Sequence, residues 1–529
     1  MGTVRADAFN RTDSSGEFRE RSGHRTCDYA GGAACVQSDY RSVVVPLKYI
    51  LALLLTSLLF SAVFAEEPTL SFPVYADGLL TEPALRGASW GIFIYSLGHD
   101  AVIYEKDADR LLTPASVTKL FTSAAALDAL GAGFQFATIF SGALTEDGIL
   151  RGDLAIRAGG DPTAETKNAK WLGAPVLFAV ADSLAARGVR RIAGDVVLFT
   201  WPYRLECATP SWEVSDIQGG FAPATDGFGF NSNVCHMGVF PGESVGDPTT
   251  FTLDPPYAPV SVRNRVTTSA EGSGWIELNV TGADTVVVIR GEIPKGDDGE
   301  YLWIPVQNPA LYYGRALAHA LEKRGIALNG TVRVDPYAPP PAVQSSALYA
   351  HFSEPLPAIL SVMNKESDNY LAEYILRALG ASTSFEGCRR TGIHAVEQFI
   401  KKCGIDRHDV ALDDGSGLTR QNLATARAIV QLLKTMHNRP DRYVFMSTLS
   451  ISGKDGTLAY RFSTPEMAER VQAKTGTMTQ ISTLAGYATD AAGDPIAFAI
   501  LCNHFNTSVR HVRAVQDRLL ERLITEYTH

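Results

Sequence analysis

Three short polar clusters in this sequence combine residue types that can carry out acyl transfer. The first is Ser116-Val117-Thr118-Lys119, which follows Pro114 and leads into a run rich in Ala and Leu that ends near Gly131. Proline suits an early helical position, so we predict that the tetrad lies in the first turn of a helix. Residues three apart share a helix face, which brings the Lys119 amine to the Ser116 hydroxyl. A neutral amine there can take the serine proton, so Ser116 is a candidate nucleophile and Lys119 a candidate base.

The other two clusters lie far downstream. Ser367-Asp368-Asn369 precedes a predicted helix, and Lys474-Thr475-Gly476-Thr477 precedes a predicted strand. Each cluster alone has a simpler interpretation, the first as a helix-start serine with a solvated lysine, the second as a helix cap and the third as a turn. Their occurrence together, in this order, is much rarer by chance than any one of them.

The three clusters together supply every part that an acyl-transfer site requires. Ser367 can relay a proton to the leaving amine, and Asn369 can hold Lys119 and the substrate amide. Lys474 and Thr475 can bind a terminal carboxylate, and the charge of Lys474 disfavours a second charge on Lys119. Gly476 lets substrate lie against the strand, which leaves the backbone N–H groups of Thr477 and Ser116 as the oxyanion donors.

The order Ser-x-x-Lys, Ser-x-Asn, Lys-Thr-Gly resembles the signature of β-lactamases and penicillin-binding proteins. Ser116 and Ser367 are separated by about 250 positions, which leaves room for inserted domains. Further stretches, among them 228–233 and 414–422, resemble the low-molecular-mass class C penicillin-binding proteins, which are D-alanyl-D-alanine carboxypeptidases and endopeptidases. The resemblance extends from about residue 75 to the C-terminus.

That resemblance implies a reaction and its partners. We expect cleavage of the terminal D-Ala-D-Ala bond of peptidoglycan stem peptides through an acyl-Ser116 enzyme. The resemblance also implies cleavage of peptide cross-links as a second activity, and covalent inhibition by β-lactam antibiotics. The residues expected to bind substrate are Lys474, Thr475, Gly476 and Thr477, and those expected to be catalytic are Ser116, Lys119, Ser367 and Asn369.

The alternation of strand-like and helical segments predicts an α+β fold. We expect a penicillin-binding, β-lactamase-like transpeptidase core, with an antiparallel sheet flanked by helices, formed by residues 66–144 and 301–529. Residues 145–300 are rich in Gly, Thr and Val and contain many short strand-like runs. We therefore predict that a mostly β inserted domain pair splits the core.

The N-terminal region predicts export. The uncharged apolar run Tyr49–Ala65, preceded by Lys48, has the pattern of a signal peptide within residues 45–65. An uncleaved anchor is the alternative, and either form is compatible with peripheral association with a membrane. We expect a periplasmic or cell-envelope location. Residues 1–44 look like a disordered or wrongly assigned leader.

Composition narrows the remaining possibilities. A net charge of −10 and the lack of a long basic run argue against nucleic acid as a partner. The cysteine spacing fits no metal site, and we expect no metal or other cofactor. An oxidising compartment permits disulfides between Cys207 and Cys235 and between Cys388 and Cys403.

Two other functions fit parts of the sequence. A β-lactamase or esterase would use the same site and differ only in how fast water clears the acyl-enzyme. A non-catalytic wall-binding or sensor module would keep the fold without the reaction. The long insertion argues against the first of these functions, and the complete set of polar motif residues argues against the second.

Overall fold

The computed structural model describes residues 71–164, 175–272, 274–282, 285–339 and 347–527. The predicted leader and signal peptide lie outside these residues, as do Cys27 and Cys35. Within the described part, no helix has the length and apolar character needed to cross a membrane.

The strands alternate with helices along the chain. In chain order the strands are β1 Ser89–Ser96, β2 Ala101–Lys106, β3 Ala137–Leu144, β4 Ile149–Arg157, β5 Arg191–Ile192, β6 Val196–Phe199, β7 Val234–Phe240, β8 Thr250–Asp254, β9 Ser261–Ser269, β10 Trp275–Thr281, β11 Val286–Pro294, β12 Glu300–Pro305, β13 Ala327–Leu328, β14 Val332–Asp335, β15 Ala347–Phe352, β16 Val410–Ala411, β17 Leu423–Ala424, β18 Ser450–Ile451, β19 Val471–Met478, β20 Ile481–Thr489 and β21 Pro495–Asn503.

The helices are concentrated in the second half of the chain. They are α1 Phe72–Leu80, α2 Lys119–Ala129, α3 Val176–Ala186, α4 Val214–Ile217, α5 Pro309–Lys323, α6 Leu356–Lys365, α7 Asn369–Ser384, α8 Arg389–Lys402, α9 Ala426–His437, α10 Arg442–Ser447 and α11 Val509–Thr525, and short 3₁₀ turns occur at Pro83–Leu85, Ala115–Thr118, Asn231–Asn233 and Gly456–Leu458.

An antiparallel sheet joins the two ends of the described chain. Its strands follow the order β18-β19-β20-β21-β1-β2, and β1 pairs with β21 from Ser89 opposite Asn503 to Ser96 opposite Ile496. The first strands of the chain therefore belong to the same sheet as the last. Together with the helices around it, this sheet confirms the predicted α+β class.

Both faces of this sheet are covered, which explains the unbroken apolar run of β21. Ile496, Phe498 and Ile500 face a core formed with α1 and α11. The alternate residues Ala497 and Ala499 face a second core formed with α2 and helices α6 to α9. Because side chains alternate along a strand, a strand covered on both faces is apolar at every position.

A second group of sheets and helices is formed by residues that lie, in sequence, between the first and the last strands of this antiparallel sheet. A sheet ordered β13-β5-β4-β3-β15, with β6 bridging β4 and β14, packs with α3 and α5. Two three-stranded sheets, β10-β11-β9 and β12-β7-β8, complete it. The predicted insertion at residues 145–300 stays a prediction. Strands on either side of those bounds, β3 and β13 to β15, pair within the same sheet.

Helix α7 is longer than the sequence predicts. Gly380 is predicted to end it, but the helix continues to Ser384. A Cβ atom on Gly380 would lie 2.9 Å from the backbone nitrogen of Gly392, and one on Gly392 would lie 2.1 Å from the carbonyl oxygen of Leu376. The two glycines therefore let α7 and α8 approach closely. The sequence analysis did not predict helix α8.

The predicted disulfides are wrong. Cys207, Cys235, Cys388, Cys403 and Cys502 are all unpaired. Cys388 and Cys403 flank opposite ends of the 14-residue helix α8, which separates them by about 20 Å at the usual helical rise, well beyond the reach of a disulfide.

Candidate active site

The turn that carries Ser116 connects a loop to helix α2. Residues Ala115–Thr118 form a 3₁₀ turn that continues into the α-helix at Lys119, as the predicted helix start requires. Ala115 has a left-handed backbone with φ of 48°, a strained conformation for a residue with a side chain. Ser116 is partly exposed between buried neighbours, so its hydroxyl is open to a ligand.

Lys119 is fully buried and its amine has three oxygen partners. Its Nζ lies 3.1 Å from Ser116 Oγ, 2.7 Å from Asn369 Oδ1 and 2.6 Å from the Ser416 carbonyl oxygen. The amide and carbonyl oxygens can only accept hydrogen bonds, whereas a hydroxyl can also donate. These contacts are compatible with an amine that donates to Asn369 and Ser416 and that either donates to the Ser116 hydroxyl or accepts from it.

A second buried amine lies beside the first. Lys474 Nζ donates to Ser367 Oγ at 2.9 Å and to the Thr475 carbonyl oxygen at 2.7 Å. Burial lowers the pKa of Lys474 well below its ordinary value, and the nearby Lys119 lowers it further. This repulsion is mutual, so the pair is most stable when at least one amine is neutral.

Ser367 and Asn369 are placed by the start of helix α7. The Asp368 side chain accepts the Leu371 N–H at 3.1 Å and caps the helix. Ser367, just before the cap, has a left-handed φ of 58°. The cap thus turns the Ser367 hydroxyl towards Lys474 and the Asn369 amide towards Lys119.

The Lys474–Thr477 cluster lies within strand β19, not in a turn before a strand as the sequence predicts. β19 is antiparallel to β20, with Gly476 opposite Thr483. A Cβ atom on Gly476 would lie 2.2 Å from Thr483 Oγ1, 2.7 Å from the Pro114 carbonyl oxygen and 3.0 Å from the Ser116 nitrogen. The lack of a side chain at Gly476 therefore lets the turn that carries Ser116 pack against the strand. The predicted role of Gly476 beside substrate stays a prediction.

The two threonines of this cluster, Thr475 and Thr477, form side-chain hydrogen bonds with a hydroxyl group and a guanidinium group respectively. Thr475 Oγ1 lies 2.9 Å from Thr457 Oγ1, and Arg513 Nη2 donates to Thr477 Oγ1 at 3.0 Å. Both threonine side chains are partly or largely exposed. They therefore extend the polar surface of the site along the strand.

A loop at residues 414–417 is part of the site but had no assigned role in the sequence. Besides the Ser416 carbonyl at Lys119, the Gly415 carbonyl accepts the Thr122 hydroxyl at 2.7 Å. Gly417 has a φ of +81°, and a Cβ atom there would lie 1.9 Å from the Ala115 carbonyl oxygen. The alternation Asp-Gly-Ser-Gly was the available signal, since such glycines indicate close backbone approach.

Two buried carboxylates fix this loop. Asp414 accepts the N–H groups of Gly417 at 2.7 Å and Thr419 at 2.8 Å, and the Trp212 indole N–H at 2.9 Å. Glu373 Oε1 accepts the N–H groups of Gly415 at 3.0 Å and Ser416 at 2.9 Å. The Ser416 carbonyl that holds Lys119 is therefore anchored through its own peptide group, by the Gly417 N–H, and through the preceding one, by the Ser416 N–H.

Burial disfavours the charged form of Glu373, and its hydrogen-bond and ion-pair partners only partly offset this effect. Burial and the nearby Asp414 raise the pKa of Glu373 to about 7, and Arg377 opposes this rise. Arg377 Nη1 lies 3.3 Å from Glu373 Oε2, and its Nη2 lies 2.6 Å from Glu206 Oε2. One buried arginine thus serves two carboxylates.

The structure brings the eight predicted site residues to one place. Ser116, Lys119 and Asn369 form one hydrogen-bonded group, and Ser367 and Lys474 form a second one beside it. Thr475, Gly476 and Thr477 follow along the same strand. Glu373, Ser416 and Thr457 were not predicted as site residues. A partly exposed serine hydroxyl beside two buried amines, with further hydroxyl groups along the adjacent strand, is an arrangement that suits acyl transfer.

The sequence matches the D-Ala-D-Ala carboxypeptidase 3 (S13) family over residues 75–523. It is 30% identical over 461 residues to a D-alanyl-D-alanine carboxypeptidase of an Actinomadura species, covering 84% of this chain and 83% of that protein. It is 27% identical over 457 residues to the D-alanyl-D-alanine carboxypeptidase DacB of Haemophilus influenzae, covering 84% and 92%.

The fold is similar to solved structures. The crystal structure of penicillin binding protein 4 from Haemophilus influenzae has a TM-score of 0.75 and 26% identity, covering 85% of this chain and 99% of that one. A second crystal structure of that protein, complexed with a β-lactam, has a TM-score of 0.70 and 25% identity over the same shares.

Gly476→Ala tests the packing of the strand against the Ser116 turn. We expect penicillin acylation to fall at least about a hundredfold, because the added methyl group displaces the nucleophile, and stability to fall by about 1–3 kcal/mol. Acylation kinetics and urea unfolding measure the two effects. Gly133→Ala is the control, since a Cβ atom there meets nothing within 4 Å. Wild-type acylation in Gly476→Ala would contradict this packing.

Glu373→Gln tests the buried carboxylate. Between pH 4.5, which is the ordinary pKa of a glutamate, and pH about 7, Glu373 stays protonated in the folded protein. In the unfolded chain the same side chain has lost its proton over that pH range. The free energy of unfolding should therefore decrease as pH rises through this window, by roughly 3 kcal/mol for this group. Urea unfolding across the window should show that slope to be smaller in Glu373→Gln. The exposed Glu397→Gln is the control, and parallel slopes for wild type and Glu373→Gln would refute the prediction.

Proposed function

The chain belongs to the D-Ala-D-Ala carboxypeptidase 3 (S13) family, and on this basis we propose which of its residues cleave the D-alanyl-D-alanine bond. The contact that supports the proposal is the one between Lys119 Nζ and Ser116 Oγ. Ser116 attacks the carbonyl carbon of the penultimate D-Ala while its proton passes to neutral Lys119. The products of this half-reaction are an acyl-Ser116 ester and free D-Ala.

The leaving amine needs a proton, and Ser367 is placed to relay it. Ser367 Oγ accepts from Lys474 Nζ, so its own hydroxyl hydrogen is free to point to substrate. After D-Ala leaves, water takes its place, gives a proton back through the same groups and hydrolyses the ester. The backbone N–H groups of Ser116 and Thr477 are the proposed oxyanion donors.

The carboxylate of the terminal D-Ala is proposed to bind along strand β19. Lys474 brings a buried amine whose protonated form would attract the carboxylate, and the hydroxyl groups of Thr475 and Thr477 line the same strand. Asn369 holds Lys119 through its oxygen. Its nitrogen donates one hydrogen to the Phe221 carbonyl oxygen at 3.4 Å, and the second N–H is proposed to face the substrate amide. Peptidoglycan stem peptides have this combination of amide and terminal carboxylate.

A β-lactam offers the same groups in a ring. The related Haemophilus influenzae protein has been crystallised with a β-lactam, and we propose that penicillins acylate Ser116 here. Glu373 argues against a β-lactamase, because its carboxylate is held by two backbone N–H groups and Arg377 and does not serve as a base for water. Cross-link cleavage and a periplasmic or cell-envelope location stay predictions.

Replacement of the nucleophile tests the proposal. We expect Ser116→Ala to lower D-Ala release from a pentapeptide by at least about a thousandfold and to abolish the covalent penicillin adduct, because no other group forms the ester. Released D-Ala and the intact mass after penicillin treatment are the measurements. Ser447→Ala, at an exposed serine, is the control. Unchanged D-Ala release from folded Ser116→Ala would exclude the mechanism.

The pH profile of acylation tests the amine pair. We expect the rate of penicillin acylation to fall as pH is lowered from alkaline to mildly acidic, because protonation of both amines removes the lone pair that accepts the Ser116 proton. In Lys474→Gln the repulsion between the two protonated amines is lost, so the midpoint of the profile should move to higher pH. Stability measured at each pH separates this effect from unfolding. A flat profile in wild type would count against an amine base.

A further inference from the structure

Arg513 lies at the edge of the proposed site without an ion-pair partner. It is on helix α11, and its Nη2 donates to Thr477 Oγ1 at 3.0 Å. Among the residues that the structure describes, no carboxylate is close enough to Arg513 to form an ion pair with it. Asp517 on the same helix attracts Arg513 electrostatically, but it forms its ion pair with Arg461. An arginine that is half buried beside a substrate-facing strand, and whose neighbouring carboxylate is bound to another arginine, is a candidate anion-binding group.

The neighbouring charges increase this imbalance. Arg461 takes up Asp517, with its Nε 3.1 Å from Asp517 Oδ1, so the nearby carboxylate is already paired. Burial and the proximity of Arg461 lower the pKa of Arg513, and Asp517 opposes part of this shift. Both observations describe a cation whose charge is not fully compensated by the protein.

The helix fixes the position of the guanidinium. Gln516, three residues after Arg513, is fully buried and donates to the Ser482 carbonyl oxygen at 3.2 Å, and Ser482 is the strand partner of Thr477. Residues three apart lie on the same helix face. Helix α11 is thus anchored to the sheet at the register that brings Arg513 to Thr477.

The direction of the hydrogen bond has a chemical consequence. Because Arg513 can only donate, Thr477 Oγ1 is the acceptor, and the hydroxyl hydrogen of Thr477 must point elsewhere. Thr477 is exposed, so this hydrogen is available to an acceptor in the site. A carboxylate is the acceptor that gains most from a polarised hydroxyl beside a cation.

We propose that Arg513 is a positioning residue that determines specificity: it orients the Thr477 hydroxyl and supplies the charge that selects substrates with a free carboxylate next to the scissile amide. The inference rests on the proposed function, because it takes β19 as the strand that binds substrate. It adds a group from outside the three motifs to the recognition of substrate.

The test compares an N-acylated peptide that ends in D-Ala-D-Ala with the same peptide ending in a C-terminal amide. In the full-length protein, Arg513→Gln should lower kcat/KM for the carboxylate peptide about tenfold, mainly through KM, since a hydrogen bond to a charged group is lost. The amide peptide should change less than about twofold. Arg513→Lys, which keeps the charge and one donor, should restore part of the loss.

Two further variants separate this role from a structural one. Arg510→Gln removes an exposed arginine one turn earlier on the same helix and should leave both substrates unaffected. Thr477→Val should give the same loss as Arg513→Gln, and the double variant should lose no more than Thr477→Val alone, because the two residues act as one unit. The two single variants and the double variant are compared with the carboxylate peptide alone.

The outcomes are distinct. Equal losses on both peptides, no loss on either, or additive losses in the double variant would each overturn the role of Arg513 while the wild type remains active. A wild type that cleaves neither peptide and forms no penicillin adduct would refute the proposed function, and the role of Arg513 with it.

Discussion

The three oxygen contacts of the Lys119 amine are the constraint on which the site depends. They come from three parts of the chain, since Ser116 lies on the turn before α2, Asn369 starts α7, and Ser416 lies in a loop. A buried ammonium without compensation is expensive, whereas a neutral amine with two acceptors and one donor is satisfied. The packing of α2, α7 and the loop therefore sets the position of the amine that is proposed to accept the Ser116 proton.

The acceptor at Ser416 is held in place by buried charge. Glu373 and Asp414 together bind four backbone N–H groups of the loop, and Arg377 compensates part of their charge. Each of two buried carboxylates raises the free energy of the other's charged form. This arrangement therefore lowers the free energy of unfolding, while it holds the loop rigidly. Such a trade is common where a catalytic group must be held within a fraction of an ångström.

Strand β19 carries the residues that are proposed to bind substrate, and it packs against the turn that carries Ser116. Lys474 places its amine beside that of Lys119. Gly476 has no side chain, so the Ser116 turn can pack against the strand, and Thr477 accepts a hydrogen bond from Arg513 on α11. Helix α11 also covers the far face of the same sheet. The site therefore takes its residues from both layers around the sheet, and displacement of either layer would change the distance between Ser116 and the hydroxyl groups of Thr475 and Thr477.

The sequence by itself determined the chemistry and the local elements of this protein. The spacing in Ser116–Lys119 required a helical turn, the cap at Asp368 marked the start of α7, and the apolar run of β21 indicated a buried strand, because each depends on neighbours within a few residues. Only the tertiary structure decided what lies across long separations. Gly380 and Gly392 permit a helix contact, Gly476 faces Ser116, Glu373 anchors Ser416, and Arg513 reaches Thr477. These contacts join residues 12 to 360 positions apart, where no local propensity acts and the packing of whole elements sets the distance.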